Sequence, residues 1–187
     1  MPFTVIYDAC VLFPAPMRDL LIRLATKGLF RAKWTDEILD ECFASILRQR
    51  PDLTGERLRR TRRLMTRAVR DCMVTGHEKL IELIELPDPK DRHVVAAAVR
   101  ASAQVIVTQN LRDFPAKVLK EFDIEAQHPG EFVVNIIDLD HAAVCQVLEE
   151  QTAALKNPPK TIGEILDTLE AQGMAQTATI LRPLLLR

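Results

Sequence analysis

The amino-acid sequence predicts an α/β layer fold with a mainly parallel sheet, followed by a helical appendage. Short apolar runs of strand character alternate with longer segments whose apolar residues recur at helical spacing, and this alternation is typical of a parallel sheet covered by helices. Ligands of such folds bind beyond the carboxyl ends of the strands. The alternation has stopped by His141. We therefore predict a first domain over residues 1–136 and a helical part over residues 137–187.

The first strand is predicted for residues 3–7, an apolar, β-favouring run that ends at Asp8. A helix over residues 17–26 has leucines at helical spacing and is followed by Gly28, which favours a helix end. Thr35 then offers an N-cap, and the acids in the turn after it suit the positive end of the helix dipole. These elements predict a buried strand with helices packed against it.

The rest of the first domain continues the alternation. The predicted elements are a helix over residues 57–70, a strand near residues 81–86, a helix over residues 91–102, and strands at residues 105–107 and 124–126. Pro129 then begins a helix. In the helical part, Thr161 and Glu164 form a capping-box pattern, and Gly173 separates two final helices.

Length and composition are those of one ordinary soluble domain. The chain has 187 residues, 48% of them hydrophobic and 27% charged, and its net charge is −1. A chain of this size buries a real core, and the composition excludes disordered and collagen-like proteins. The apolar run at residues 94–99 is too short to cross a bilayer, and the N-terminal residues do not form a signal peptide. We expect a cytoplasmic protein without a membrane segment.

The four cysteines, Cys10, Cys42, Cys72 and Cys145, are predicted to be buried thiols without a chemical role. They form no C-x-x-C pair and have no histidine at ligand spacing beside them. This pattern argues against a zinc ribbon and against a disulfide scaffold.

Three acids fall at one predicted edge of the sheet. Asp8 directly follows the first strand, Asp91 lies on the inward side of the helix it opens, and Asp113 comes shortly after the strand that ends at Thr108. Each also has an ordinary explanation, because Asp8 can close an Asx-turn, Asp91 can belong to a capping box with Asp88, and Asp113 can begin a helix. Their combination is more informative than any one of them.

Carboxylates that converge without basic neighbours repel one another unless a divalent cation neutralises them, and oxygen-only ligands suit Mg²⁺ or Mn²⁺. Such ions polarise a phosphodiester, activate water and stabilise the departing oxygen. The chain contains neither a phosphate-binding glycine loop nor a G-x-S-x-G motif. The acids therefore indicate phosphodiester hydrolysis.

Four segments together resemble a PIN domain, and specifically the VapC-type toxin nucleases. They are FTVIYD, WTDEILDE, PDPKDRHVVAAA and VTQNLRDFP, and they occur in the family's order within residues 3–135. The resemblance implies a Rossmann-like sandwich and a metal-dependent endoribonuclease of a type II toxin–antitoxin pair, cutting structured RNA. It places the family's acids on Asp8, Glu41, Asp91 and Asp113, as catalytic residues and as ligands of Mg²⁺ or Mn²⁺.

Within this resemblance, Glu41 is preferred to Glu37 as the second acid, because the family's acid usually lies beyond the first turn of its helix. Thr108 and Asn110 are expected to support the site, and Asn110 stands where many relatives carry a further Asp. His93 is expected to point away from the neighbouring acid, since two helical positions are about 200° apart. We assign His93 to the surface or to packing.

The predicted helix over residues 57–70 carries a basic face. At 100° per residue one side holds Arg59, Arg60, Arg63, Arg67 and Arg70. The predicted helix itself contains no acid that could pair with them at i, i+4. The face is therefore predicted to bind RNA phosphates and to position RNA without reading its bases. An acidic protein segment, such as an antitoxin tail, is the alternative occupant.

Two other functions remain open at this point. The chain could be a non-catalytic RNA-binding or adaptor module on the same fold, or a PIN-like nuclease that acts on DNA. The resemblance also implies a small antitoxin protein as partner. The leucines of the helical part leave apolar surface that RNA, the antitoxin or a second copy in a homodimer could cover.

Overall fold

A computed structural model describes residues 2–186, and a four-stranded parallel sheet lies at its centre. The strands stand in the order β2-β1-β3-β4 and are β1 (Thr4–Tyr7), β2 (Arg31–Lys33), β3 (Val105–Val107) and β4 (Glu125–Gln127). Ile6 pairs with Ile106 across the two central strands. Because all four strands run in one direction, their carboxyl ends meet at one edge. The predicted α/β fold with a parallel sheet is confirmed.

Helices cover the sheet and continue into the C-terminal part. The α-helices are α1 (Ala9–Leu12), α2 (Ala15–Ala25), α3 (Asp36–Gln49), α4 (Gly55–Ala68), α5 (Arg92–Arg100), α6 (Ala116–Leu119), α7 (Pro129–Ala154), α8 (Ile162–Ala171) and α9 (Ala175–Leu185). Four 3₁₀ turns connect them, at Glu78–Leu83, Pro89–Asp91, Leu111–Asp113 and Lys120–Phe122. None of the helices in this part of the chain has the length and apolar character that a membrane span needs.

The predicted helix starts are confirmed in atomic detail. Thr35 caps α3, where its Oγ1 accepts a hydrogen bond of 3.0 Å from the Ile38 amide. Thr161 and Glu164 form the capping box of α8, with reciprocal bonds of 3.2 and 2.8 Å between side chain and backbone. Gly173 has φ +92° between the last two helices, a conformation that only glycine adopts without strain.

The strand predicted near residues 81–86 is wrong. The segment is the 3₁₀ turn Glu78–Leu83 and an extended connection that packs against α5. Ile84 and Leu86 are buried there while Leu83 is exposed, so the apolar residues anchor a connection and pair with no strand of the sheet. The sequence analysis did not predict the edge strand β2. This strand has only one buried residue, Ala32, between two charged residues, so it lacks the apolar run that indicates a strand.

An aromatic cluster ties the sheet to α7. Tyr7 stacks on Trp34 with ring centroids 6.3 Å apart, and Phe30 meets Phe132 of α7 edge-on at 5.1 Å. All four side chains are at most 2% exposed, and burial of such rings dominates core energetics. The Tyr7 hydroxyl donates to the Leu21 carbonyl at 3.1 Å, which satisfies its polar atom.

The helical part packs closely on the first domain. Helix α7 bends at Asp140, whose backbone is non-helical (φ −158°, ψ 86°), and α9 and α2 both pack along it. The Gln151 side chain donates to the Pro16 carbonyl at 2.9 Å, and the Thr177 hydroxyl donates to the Gly130 carbonyl at 3.0 Å. The predicted boundary between residues 1–136 and 137–187 falls inside α7 and stays a prediction.

Candidate active site

Asp8 lies at the carboxyl end of β1 and is held by three hydrogen-bond donors. Its Oδ1 accepts from the Ala9 amide at 2.7 Å, and its Oδ2 accepts from the Thr108 hydroxyl at 2.8 Å and from the Cys10 thiol at 3.3 Å. The residue is only 5% exposed. Burial raises the pKa of Asp8, and the hydrogen bonds from Thr108, Cys10 and Ala9 partly offset that rise. One fixed carboxylate therefore faces the edge of the sheet.

Thr108 and Asn110 follow β3 beside Asp8, where the sequence places them as supporting residues. The buried Thr108 hydroxyl accepts from the Asn110 amide at 3.0 Å while it donates to Asp8. Asn110 itself is exposed. These bonds connect the ends of β1 and β3 directly.

Cys10, one of the cysteines predicted to have no chemical role, contacts the candidate site. Its sulfur accepts from the Gln109 amide at 3.2 Å, donates to Asp8 and lies 3.4 Å from the Thr108 hydroxyl. Burial, followed by the charge of Asp8, raises the pKa of Cys10 to about 12, so the group is a neutral thiol. No spacing in the sequence signals this contact, which exists because α1 turns back over the end of β3.

Asp91 is the acid most affected by its neighbours. Asp88 caps the turn Pro89–Asp91 by accepting from the Lys90 amide at 2.9 Å, whereas the Asp91 side chain makes no cap bond. Burial raises the pKa of Asp91 to about 6, with further contributions from the charges of Asp8, Asp113, Asp88 and Glu41. Four acids, three of them far from Asp91 in the chain, thus act on one carboxyl group.

His93 and the acids of α3 form the contact that the sequence did not predict. His93 is 3% exposed; its Nε2 lies 3.1 Å from Glu41 Oε1, and its Nδ1 lies 3.6 Å from Glu37 Oε2. Burial lowers the pKa of His93, but the hydrogen bond and charge of Glu41 outweigh it and leave that pKa raised. His93 is therefore buried and not at the surface. The sequence missed the two glutamates beside it, because helical spacing within α5 does not show which residues α3 brings to it.

A cavity of about 700 Å³ opens at this edge of the sheet. Its lining includes Asp8, Cys10, Glu41, Asp88, Asp91 and Asn110. Asp113 lies on the adjoining turn Leu111–Asp113, close enough for its charge to act on Asp91. Of the two possible second acids, Glu41 lines this cavity, and the lining does not include Glu37.

The site suits a hard divalent cation by its donor chemistry. Lys90 and Arg48 also line the cavity, yet within residues 2–186 no lysine or arginine forms an ion pair with Asp8, Glu41, Asp91 or Asp113. Carboxylate oxygens without a basic partner are the ligands that Mg²⁺ and Mn²⁺ prefer.

The most closely spaced group of possible metal ligands lies at the border of the cavity, whose lining includes only one of the three residues. In the described part of the chain, three such donor atoms come within 4.8 Å of one another in a single cluster, made by Glu37, Glu41 and His93. Of the four predicted acids, Asp8, Glu41 and Asp91 line the cavity, and Asp113 lies on the adjoining turn. Glu41 belongs to both arrangements.

Comparison with known proteins identifies the family. The PIN-domain profile matches residues 4–112, which is more than half of the chain. The chain belongs to the PIN-domain family. The profile of the VapC50 C-terminal domain matches residues 129–183 of this PIN-domain protein. The predicted resemblance to VapC-type PIN domains is confirmed.

A curated relative carries the same name as the C-terminal profile. The protein called "Putative ribonuclease VapC50" from Mycobacterium tuberculosis (strain ATCC 25618 / H37Rv) is 46% identical over 83 residues. The match covers 44% of this chain and 49% of the relative, so the chain spans about half the length of the curated relative it matches. No solved structure matches this chain significantly.

The basic face of this PIN-domain protein lies on α4. Arg59, Arg60, Arg63 and Arg67 are exposed on the helix, whereas Arg70 follows its end at Ala68. In the part of the chain that the structure describes, none of these five guanidinium groups forms an ion pair with a carboxylate. The face is therefore free to meet an anionic partner.

Arg62, which is not part of the basic face, links α4 to helix α3. Arg62 forms ion pairs with Asp36 and Asp40 of α3, the helix that also carries Glu41. The link places α4 beside the helix that supplies an acid to the cavity.

Proposed function

We propose that this PIN-domain protein is a Mg²⁺- or Mn²⁺-dependent endoribonuclease that acts as the toxin of a type II toxin–antitoxin pair. The observation that carries the proposal is the convergence of acids on Asp91, whose pKa of about 6 reflects burial and four neighbouring carboxylates. A group of acids that no lysine or arginine pairs with is stable near neutral pH when a cation balances its charge. The family and the name of the curated relative support a ribonuclease.

In this proposal Asp8, Glu41, Asp91 and Asp113 hold the cation. The ion would act as a Lewis acid on the phosphodiester and would lower the pKa of bound water, the two contributions of divalent metals to phosphoryl hydrolysis. The hydrogen bonds to Asp8 from Ala9, Thr108 and Cys10 keep its carboxylate in one orientation. Binding of the ion therefore costs little conformational entropy at this side chain. Asn110 adds a neutral polar group at the cavity.

The substrate proposed is structured RNA, with the basic face Arg59, Arg60, Arg63, Arg67 and Arg70 as its phosphate contact. Arginine suits phosphate because its planar guanidinium donates in a fork. A small antitoxin is the proposed protein partner, and the cytoplasm is the proposed location; a homodimer stays a prediction.

The test replaces single carboxylates by amides of the same shape. We expect Asp8→Asn and Asp91→Asn each to lower the rate of RNA cleavage in Mn²⁺ by about 100-fold or more, because each removes one charge from the ion's ligands. Cleavage by the wild-type chain should also stop in excess chelator. Circular dichroism would show that both variants keep the fold, and the exposed Asp138 of α7 supplies the matched control Asp138→Asn.

Three results would contradict the proposal. Cleavage that continues in chelator would exclude metal dependence. RNA binding without cleavage by the wild-type chain would make it the RNA-binding module considered above. Faster cutting of DNA than of RNA under the same conditions would change the substrate class.

A further inference from the structure

We propose that His93 is a positioning residue for Glu41: its Nε2 donates a hydrogen bond that holds the Glu41 carboxylate at the acid-lined cavity, while Glu37 lies beside Nδ1 on the other side of the ring. The inference rests on the proposed function, because it assumes that Glu41 holds the cation. It adds one residue, His93, to the four acids of the proposed site.

The contrast in burial supports this role. The His93 side chain is 3% exposed, whereas the side chains of Glu41 and Glu37 are 44% and 52% exposed. A half-exposed glutamate on a helix surface samples several rotamers, and ordering it costs conformational entropy. A rigid, buried donor 3.1 Å from Glu41 Oε1 selects the rotamer that reaches the cavity before any ion binds. This is how outer groups commonly tune the ligands of a metal.

The position of His93 in the chain couples two of the acids. Asp91 ends the turn Pro89–Asp91 at the start of α5, and His93 lies in the first turn of that helix. The same helix start therefore presents Asp91 towards the cavity and His93 towards α3. The hydrogen bond from His93 to Glu41 therefore links the position of Glu41 on α3 to that of Asp91 at the start of α5.

The two glutamates contact different nitrogens of the His93 ring, and only Glu41 lines the cavity. Glu37 and Glu41 are one turn apart, which puts both on nearly the same side of α3. Glu41 lines the cavity, while Glu37 lies 3.6 Å from the opposite ring nitrogen, Nδ1. Each nitrogen of the imidazole thus faces its own carboxylate. We infer an orienting role from this pattern, since a metal ligand would turn one nitrogen towards an ion shared with both acids.

The experiment compares two amides that differ by one methylene. The amide nitrogen of Gln can reach the place of Nε2 and donate to Glu41, whereas that of Asn reaches only the place of Nδ1. We expect calorimetric titration of the full chain with Mn²⁺ to give an affinity within about threefold of wild type for His93→Gln, and 10- to 100-fold weaker, roughly, for His93→Asn. His141→Asn, at an exposed histidine, is the control and should bind as wild type does.

A second background separates positioning from a general effect on the fold. In chains that already carry Glu41→Gln, exchanging His93 for Asn should weaken Mn²⁺ binding by less than about twofold, because the group that His93 orients is no longer a carboxylate. An effect of His93→Asn that persists undiminished in this background would show a merely structural role and overturn the inference.

The remaining outcomes are also decisive. If the wild-type chain binds no Mn²⁺, the proposed function and this inference are both wrong. If wild type binds and the Asn and Gln variants bind equally tightly, only the inference is wrong. If every variant at position 93, including Gln, binds one ion fewer, His93 is itself a ligand and the positioning role is overturned.

Discussion

The carboxyl group of Asp91 is less stable as an anion in the folded protein than in the unfolded chain. Its pKa rises from 3.8 to about 6, first because of burial and then because of the neighbouring acids. A raised pKa in the folded state means that folding binds protons. The stability linked to Asp91 is therefore complete below about pH 4 and is lost as the pH rises through 6. Without a cation, the site destabilises the fold at neutral pH.

This linkage predicts that Asp91→Asn stabilises the metal-free protein. The full shift corresponds to about 3 kcal/mol, but Asp91 is only partly buried and solvent screening reduces that value. We expect the free energy of unfolding to increase by about 1 kcal/mol at pH 8 and to be nearly unchanged at pH 4. Urea unfolding in chelator at both pH values measures the difference, with Asp138→Asn as the control. Equal or lower stability of Asp91→Asn at pH 8 would contradict the account.

At the scale of single elements, α4 combines an attachment with an open basic surface. Arg62 forms ion pairs with Asp36 and Asp40 of α3, and Leu58 and Met65 are the buried apolar contacts of the helix. The exposed arginines on its other side add nothing to that attachment. Their charges are therefore available for an interaction with another molecule and form no ion pair within residues 2–186.

We expect Arg63→Gln to weaken the binding of a hairpin RNA and to lower the slope of log affinity against log salt by about one. The physical reason is that each arginine on a phosphate releases about one counterion. Fluorescence anisotropy from 50 to 300 mM salt, approximately, measures the slope in an Asp8→Asn background that does not cut the probe. Arg31→Gln, at the amino end of β2, should leave the slope unchanged. An unchanged slope for Arg63→Gln would remove Arg63 from the RNA surface.

At the scale of the whole molecule, the C-terminal helices complete the core of the first domain. Leu166, Leu169, Met174 and Leu181 are all fully buried, and α8 and α9 pack on α7 and α2. The Gln109 side chain, beside the site, reaches the Gln172 carbonyl at 3.5 Å. The helical part thus extends the same hydrophobic core that supports the sheet.

A chain that ends at residue 154 should consequently be much less stable than the full chain. Each buried leucine or methionine contributes roughly 1.5–3 kcal/mol, so the loss of four such side chains removes most of the stability of a typical domain. We expect thermal unfolding of the full chain in one transition, and a truncated chain that lacks a cooperative transition. A chain that ends at residue 183 keeps these buried side chains and is the control. A truncated chain with an unchanged midpoint would show that the helical part folds separately.

The sequence by itself predicted the class of fold, the caps at Thr35 and Thr161, and the positions of Asp8 and Thr108 after their strands and of Asp91 at the start of a helix. These features depend on local rules. A buried strand is apolar, a cap needs a side-chain oxygen, and residues that follow parallel strands share one edge of the sheet. Such rules need only neighbouring residues, so the chain order is sufficient.

The tertiary structure alone decided that Cys10 touches Asp8, that His93 lies between two glutamates, and that residues 81–86 form no strand. Each of these depends on the distance between elements far apart in the chain: Cys10 meets Gln109, and His93 meets Glu41 across 52 positions. Periodicity shows which side of its own helix a residue occupies, but packing decides what that side faces.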